Sequence, residues 1–318
     1  MPSRVLSLGY SQNVYKLRLV ETQGLPTERY CALSYCWGGD QKVKTTSANL
    51  ASFKVDIDFN ALPATIQDAA KTAYNLGFCY LFVDALCIVQ DEKLDIATQI
   101  AAMPDIYGEA ALTIIAASSV NAATDFLQRR TYLEADVSLR DAWKRRQLIR
   151  MGFRGHGGKL GSVILARKEL VKDHAHIDTR AWTLQEKLLS RRILAYGKDQ
   201  TTWTCCTVKQ YTDGWLDNHA ASIDSLRSIF HPHMQQPNQS TNSGQKPLNR
   251  YPLERILTFW DRVVSQFLTR SLSNPNDKLL AIGAVAQRFH AALNDDYLAG
   301  LWRCGLARGL LWTVTPLL

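Results

Sequence analysis

Apolar and polar positions alternate over the first 35 residues. "RVLSL", "YKLRLVE" and "RYCALSYCW" interleave β-branched and aromatic residues with polar ones, and turn residues separate them, which is the pattern of short strands. The period then changes. In "LPATIQDAAKTAYNLG", Ile66, Ala69, Ala70, Ala73 and Tyr74 recur at helical spacing, Pro63 suits a first helical turn and Gly77 supplies a stop. Tyr80 to Ile88 is a continuous apolar run interrupted only by Asp84, as expected for a strand buried on both faces. A second helix is predicted from about Glu92, with Ile96, Ile100 and Met103 on one face and Pro104 bending or ending it. "ALTIIAAS", Ala111 to Ser118, reads as a third buried strand. Strand, helix, strand, helix, strand with right-handed crossovers gives a parallel sheet covered by helices.

Farther along, "DTRAWTLQEKLLSRRILAYGKDQTTWTCC" holds a helix with Trp182, Leu184, Leu188 and Leu189 largely on one side, then two strand-like runs around "GKDQ", a β-hairpin. "HPHMQQPNQSTNSGQKPLNR", from His231 to Arg250, is polar and rich in Pro, Gln, Asn and Ser, the composition of a mobile loop or insertion. Three segments after it, "LERILTFWDRVVSQFL", "DKLLAIGAVAQRFHAAL" and "YLAGLWRCGLARGLLW", show helical spacing. The expected organisation is an α/β unit over residues 1–228 with its core at about 28–205, a polar loop at 229–250, and a helical part at 251–318 packed on the same unit.

Ligands of open parallel sheets gather beyond the carboxyl ends of the strands. Ser34 to Gly39 and Asp84 to Gln90 fall there, so "SYCWGGD" reads as the lip of a crevice. Gly38 and Gly39 allow a sharp turn and close backbone approach to a ligand, and Trp37 would form a wall. Each residue also has a plain structural reading, with Trp37 capping the core and Asp84 bonding backbone amides. The chain has no P-loop, no G-x-G-x-x-G after a strand, no G-x-S-x-G and no H-E-x-x-H. His174 and His176, and His231 and His233, lack a partnering ligand cluster, so no metal is expected. What remains is acidic and aromatic: Asp84, Asp91, Glu186, Trp37, Trp182 and Tyr107. In a cleft beside a tryptophan, Glu186 would have a raised pKa or stabilise a developing cation. On a solvated helix face it would instead pair with Arg180 or Arg192.

Composition narrows the setting. The formal charge of +8 arises from 37 Lys and Arg against 29 Asp and Glu in 318 residues. Much of the excess lies in "LRDAWKRRQLIRMGFRGHGGK", with no nucleic-acid fold signature beside it, so a solvated helix face and loop are expected rather than nucleic-acid binding. No apolar run is long enough for a membrane span and the N-terminus lacks the apolar core of a signal peptide, which sets the expectation of a cytoplasmic protein. Seven cysteines without a C-x-x-C pair fit reduced, mostly buried thiols.

"YCALSYCWGGD", "LPATIQDAA", "LGFCYLFVDALCIVQD", "QIAAMPDIYGEAALTIIAAS", "RAWTLQEKLLSRR" and "NDKLLAIGAVAQRF" occur in the order and spacing of the HET, or heterokaryon incompatibility, family of filamentous fungi. The resemblance is strong over about residues 28–205 and weaker to about 312. It implies a module of self and non-self recognition and cell death, with self-association and a small-molecule ligand. It also implies a TIR-like, flavodoxin-like parallel sheet flanked by helices, with an added β-hairpin and a helical C-terminal part. In that likeness "SYCW" corresponds to the first TIR strand, and "RAWTLQEKLLS" is similar to the helix that carries the catalytic glutamate of NAD-cleaving members. Glu186 would then stabilise a ribosyl oxocarbenium as nicotinamide leaves, with Trp37 or Trp182 packing on the nucleotide.

Phe82, Val89 and Asp125 stand where many members have Trp, an acid or amide, and Gly, the last bearing on a family turn. The chain stops at "LLWTVTPLL", where incompatibility proteins usually continue into a longer region, so a compact module is expected. The resemblance and the residues together give Glu186 and Asp84 as catalytic candidates, and Ser34, Tyr35, Trp37, Gly38, Gly39, Tyr107, Arg180 and Trp182 as ligand-binding candidates. No cofactor is required, and NAD is a candidate substrate. The other reading is an enzyme of fungal secondary metabolism, a cyclase, isomerase or pericyclase such as a Diels-Alderase. It would fold an apolar substrate among Tyr35, Trp37, Tyr107 and Trp182, with Asp84 or Glu186 as polar anchor.

Overall fold

The structure is a computed structural model that describes residues 1–128, 149–154, 160–165, 175–198, 201–205, 211–212, 215–216, 252–272 and 274–311. It opens with an antiparallel hairpin, β1 (Arg4–Ser11) and β2 (Val14–Glu21), closed by Gln12 and Asn13 at φ 51° and 61°. Two successive positive φ angles match the twist of a tight hairpin, and Asn tolerates them. β3 (Cys31–Ser34) is buried along its whole length. After α1 (Leu50–Val55), α2 (Ala64–Asn75) starts behind Pro63 and ends before Gly77, whose φ of 82° suits a residue without a side chain. β4 (Tyr80–Phe82), α3 (Asp84–Cys87), α4 (Lys93–Glu109) and β5 (Leu112–Ile115) follow.

A separate hairpin of β6 (Ile149–Arg154) and β7 (Leu160–Leu165) precedes α5 (Ala181–Leu189). β8 (Arg192–Tyr196), β9 (Thr201–Cys205), β10 (Tyr211–Thr212) and β11 (Trp215–Leu216) then complete a sheet of nine strands in the order β11-β10-β9-β8-β5-β3-β4-β1-β2. Its centre, β8-β5-β3-β4, is parallel, and both flanks are antiparallel. The expected α/β class and its helical C-terminal part are thus present, the latter as α6 (Leu253–Leu268) and α7 (Lys278–Leu293).

Three expectations need correction. The run Tyr80 to Ile88 is a strand only to Phe82, and the chain then winds into α3, with Leu86 and Cys87 N–H groups bonding Val83 O at 3.0 and 2.7 Å. Ala85, Leu86 and Cys87 are fully buried, and a buried helical turn is as apolar as a buried strand, so periodicity cannot separate them. Pro104 does not end α4, which continues through it to Glu109 because Ile106, Tyr107 and Gly108 are buried in the final turns and outweigh one lost backbone bond. "YLAGLWRCGLARGLLW" opens as a hairpin, β12 (Tyr297–Leu298) and β13 (Leu301–Trp302), turning at Ala299 and Gly300 with φ 49° and 115°, and is helical only from Arg303, through a 3-10 turn (Arg303–Gly305) into the short helix α8 (Leu306–Gly309). His174 and residues 231–250 lie outside the described residues.

Among the described residues, two large apolar cores and a small third one result, the last around Cys36 and Ile115. Of the large two, one joins the central strands to α2 and α4 through Leu33, Ile66, Phe82 and Ile106. The other joins α5 to α6, α7 and Trp302, with Trp260 edge-on to Phe289 and Trp302 at centroid distances of 5.1 and 5.5 Å. Short links reinforce the second: Ser271 N–H donates to Thr179 O at 2.6 Å and Ala181 N–H to Ser271 O at 2.9 Å. α5 is therefore held between the sheet and the C-terminal helices. Among the described residues, no helix is long and apolar enough to cross a membrane.

Phe289 has no exposed surface and lies in the core that presses α5 into place. Phe289→Ala is expected to lower stability by about 3–5 kcal/mol in urea unfolding, the usual cost of emptying a buried aromatic position.

Candidate functional site

The parallel strands β3 and β4 run side by side, with Ala32 opposite Phe82, and their carboxyl ends bring two stretches distant in sequence together. Beyond β3 come Tyr35, Cys36 and Trp37; beyond β4 comes Asp84 at the start of α3. Trp37 donates its indole N–H to Asp84 Oδ2 at 2.9 Å, and Ala85 N–H donates to Asp84 Oδ1 at 2.7 Å. Asp84 thus does bond a backbone amide, as the structural reading held, and Trp37 packs on the main core while its polar edge reaches the carboxylate.

α5 supplies the other half. Arg180, its N-cap, donates from Nη1 to Tyr35 O, which pins the start of the helix to the lip after β3. Glu186 lies on the same helix. The residue as a whole is partly exposed, but Oε2 is enclosed and completes no hydrogen bond. Around it stand Ser34, Tyr107, Asp84 and Arg180. Tyr107 OH donates to Leu33 O at 2.9 Å, and the hydroxyls of Ser34 and Tyr35 have no bond of ordinary geometry although each lies close enough to a carboxyl to favour its charged form.

Burial dominates the electrostatics. It pushes Glu186 up to about 7, against the opposing pull of the Arg180 charge and of the Ser34 hydroxyl. It also raises Asp84, with Arg180, the Ala85 N–H and Trp37 opposing. Tyr35 and Tyr107 are driven upward by burial and then by the nearby carboxyls, so both phenols stay neutral. For Arg180, burial works against the charge, but Glu186 and Asp84 outweigh it and raise the pKa. A buried guanidinium next to two carboxyls balances one of them, and the second is left to take up or release a proton near neutrality.

The site thereby gathers Ser34, Tyr35, Trp37, Asp84, Tyr107, Arg180 and Glu186. Three expected members behave differently. Trp182 packs against the second core rather than the acidic cluster, because α5 turns it toward α6 and α7. Gly38, at φ 74°, does allow a close approach, but to Asn121: a Cβ there would sit 2.1 Å from the Asn121 Cβ. Gly39, at φ 128°, has open space around it. Asp91, exposed, ties down a loop by accepting from Ser47 N–H and Oγ at 2.8 and 2.6 Å, which lowers its pKa. Arg192 donates to Ala111 O at 3.4 Å. Among the described residues, no group of His, Cys, Asp and Glu could hold a metal ion.

Ser34 also lines a cleft of about 70 Å³ beside β5, β8 and β9. Its polar lining comes from Asp178, Thr183, Lys187, Thr202 and Thr204, and Ile115, Ile177 and Ile193 form apolar walls. None of these was singled out from the sequence. The nearest signal was alternation along "LSYC": with Ser34 and Tyr35 at the site, Cys36 packs with Ile115, Ile177 and Ile193, the same three walls. Burial raises the Cys36 thiol, opposed by Arg180.

An acid whose folded pKa lies above its unfolded value of 4.5 stabilises the fold only while protonated in both states. Stability is therefore lost as pH rises from about 4.5 through about 7. Glu186→Gln is expected to be more stable than the parent at pH 8, by up to roughly 3 kcal/mol, and to match it near pH 4.5. Urea unfolding of both proteins at the two pH values reads the difference.

Residues 30–186 match the heterokaryon incompatibility protein (HET) family. No curated protein and no solved structure matches the chain. Every residue of the acidic cluster falls inside the matched span, while α6 and α7 lie outside it. The strand ends, the two carboxyls and the arginine between them thus lie within the matched span, and residues 30–186 of the chain form a domain of the heterokaryon incompatibility (HET) family.

Proposed function

We propose that the chain is a HET-family enzyme that cleaves the N-glycosidic bond of NAD at the Glu186 cluster, serving in a self and non-self recognition or cell-death response. The observation that carries this reading is Glu186 itself: a buried carboxyl with a free oxygen, a pKa of about 7, and Arg180 and Asp84 beside it at the strand ends. Cleavage breaks the bond between ribose C1′ and the pyridinium nitrogen, and the electron pair goes to that nitrogen, leaving neutral nicotinamide. The ribosyl cation so formed is stabilised by ionised Glu186 and takes up water, whose proton passes to the carboxylate. A group titrating near 7 suits both duties, since it is ionised often enough to meet the cation and basic enough to accept the proton. Asp84 and Arg180 keep the cluster electrically balanced through the step, and the indole of Trp37 lies at the lip where a nucleotide would pack.

A cofactor-free cyclase of secondary metabolism draws less support. Tyr35 and Tyr107 are 2% and 1% exposed and Trp182 packs elsewhere, which leaves Trp37 alone of the four aromatic walls partly open at the lip.

Incubation of the purified protein with NAD at high enzyme concentration is expected to release nicotinamide. Glu186→Ala should reduce the rate by about a hundredfold or more, as for loss of an acid–base group. Well-folded parent protein that releases none, or a Glu186→Ala variant that releases it at the parent rate, overturns the proposal.

A further inference from the structure

Arg270 lies just past the end of α6, outside the matched family span, and its side chain is only 6% exposed. Its guanidinium bonds three groups at the start of α5. Nη1 donates to Arg180 O at 3.1 Å and to Thr183 Oγ1 at 3.0 Å, and Nη2 donates to Asp178 Oδ1 at 3.2 Å. The backbone beside it grips the same place. Ser271 N–H donates to Thr179 O, Ala181 N–H donates to Ser271 O, and Arg180 N–H turns to Ile177 O at 3.2 Å. The two peptide units that flank the Arg180 Cα are thus bonded at all four polar groups, and residues 270 and 271 make three of those bonds.

Holding both peptides fixes the two soft dihedrals of Arg180, and with them the direction in which its side chain leaves the backbone. That side chain runs to Tyr35 O and acts on the carboxyls of both Asp84 and Glu186. Thr183 and Glu186 are three residues apart on α5 and share a face, so the clamp sits beside the acid as well as behind the arginine. The place is a poor one for a cation. A helix start carries partial positive charge, and burial lowers the pKa of Arg270, opposed first by Asp178 and then by Glu186. What a guanidinium offers there is geometry: from one rigid plane it serves a carbonyl, a hydroxyl and a carboxylate together, which an ammonium on a flexible stem holds less firmly.

We infer that Arg270 is a positioning residue for the acidic cluster: by holding Arg180 O, Thr183 Oγ1 and Asp178 together it aims the Arg180 guanidinium at Glu186, and the end of α6 thereby controls the charge of that carboxyl. The inference deepens the glycosidic-cleavage reading, on which it rests only for the reaction the acid performs. The other groups facing Glu186 are Asp84 from α3, Tyr107 from α4, and Ser34, Tyr35 and Cys36 at the end of β3. None of these bonds Arg270, whose side-chain partners among the described residues are Asp178, Arg180 and Thr183.

Arg270→Lys keeps the charge and loses the fork, and Arg270→Met loses both. The carboxyl titration of Glu186, followed by carbon-13 NMR of the full chain and assigned with Glu186→Gln, reads the outcome without any substrate. The parent midpoint is expected at about 7. Because the Arg180 charge pulls that midpoint down, slackening its hold raises it: by about one pH unit in Arg270→Lys, a tenfold gain in proton affinity, and by at least as much in Arg270→Met. A lysine variant that titrates like the parent makes Arg270 a distant charge and overturns the positioning role, as does an unshifted methionine variant. Thr183→Val leaves every charge in place and takes one acceptor from the fork. Should the arginine variants fail to fold, an upward shift in this one supports the inference and an unchanged midpoint overturns it. In a protein that cleaves NAD, the pH profile of nicotinamide release moves with the midpoint. Shifted titrations in a protein that leaves NAD intact would keep the role of Arg270 and discard the cleavage reading.

Discussion

The arrangement depends on one constraint: the carboxyls of Asp84 and Glu186 are enclosed at the ends of parallel strands, and one guanidinium, that of Arg180, acts on both, while Arg270 reaches only the field of Glu186. Removing charges from water is expensive, and one cation offsets one anion well and two poorly. Every nearby group is arranged around that shortage. The Trp37 indole and the Ala85 amide go to Asp84, which leaves Glu186 with the weaker help of hydroxyls that do not complete their bonds. The asymmetry leaves Asp84 the better-bonded carboxyl of the two and Glu186 the one with an oxygen that completes no hydrogen bond.

Holding a strained charge balance requires a rigid frame, and the C-terminal helices supply it. α5 carries both Arg180, at its N-cap, and Glu186, and it is clamped by the apolar face of α6 and α7 on one side and by α4 on the other. Arg270, from just after α6, reaches back to the carbonyl of Arg180 at 3.1 Å. The part of the chain outside the matched family span is therefore mechanically part of the site, although it contributes none of the cluster's own side chains.

Much of this was legible in the sequence because it rests on local pattern. The alternating strands at the start, the helix between Pro63 and Gly77, and the acids at the strand ends all follow from spacing and from the rule that parallel sheets open at their carboxyl ends. The misreadings have a common cause. Where a segment is wholly buried, as in Asp84 to Cys87, strand and helix share one composition, and only the hydrogen bonds to Val83 O decide between them. Trp182 and Glu186 lie on one helix, but which of them meets the acidic cluster depends on the packing of α6 and α7, elements about seventy residues or more away. The cleft beside Ser34 was invisible for the same reason, since its lining is assembled from β5, α5, β8 and β9 by tertiary contact alone.

The contact of Gly38 with Asn121 carries a consequence for how such a protein diversifies. Ala122 N–H donates to Trp37 O at 3.3 Å, and Thr65, at the start of α2, bonds the same segment through its amide and hydroxyl. The loops after β3 and β5 are interlocked, so neither accepts an insertion or a bulkier residue without displacing the other. A lineage that keeps this lock cannot retune its chemistry by lengthening those loops. Variation in what is bound has to enter from the opposite rim, where β8 and β9 face the cleft.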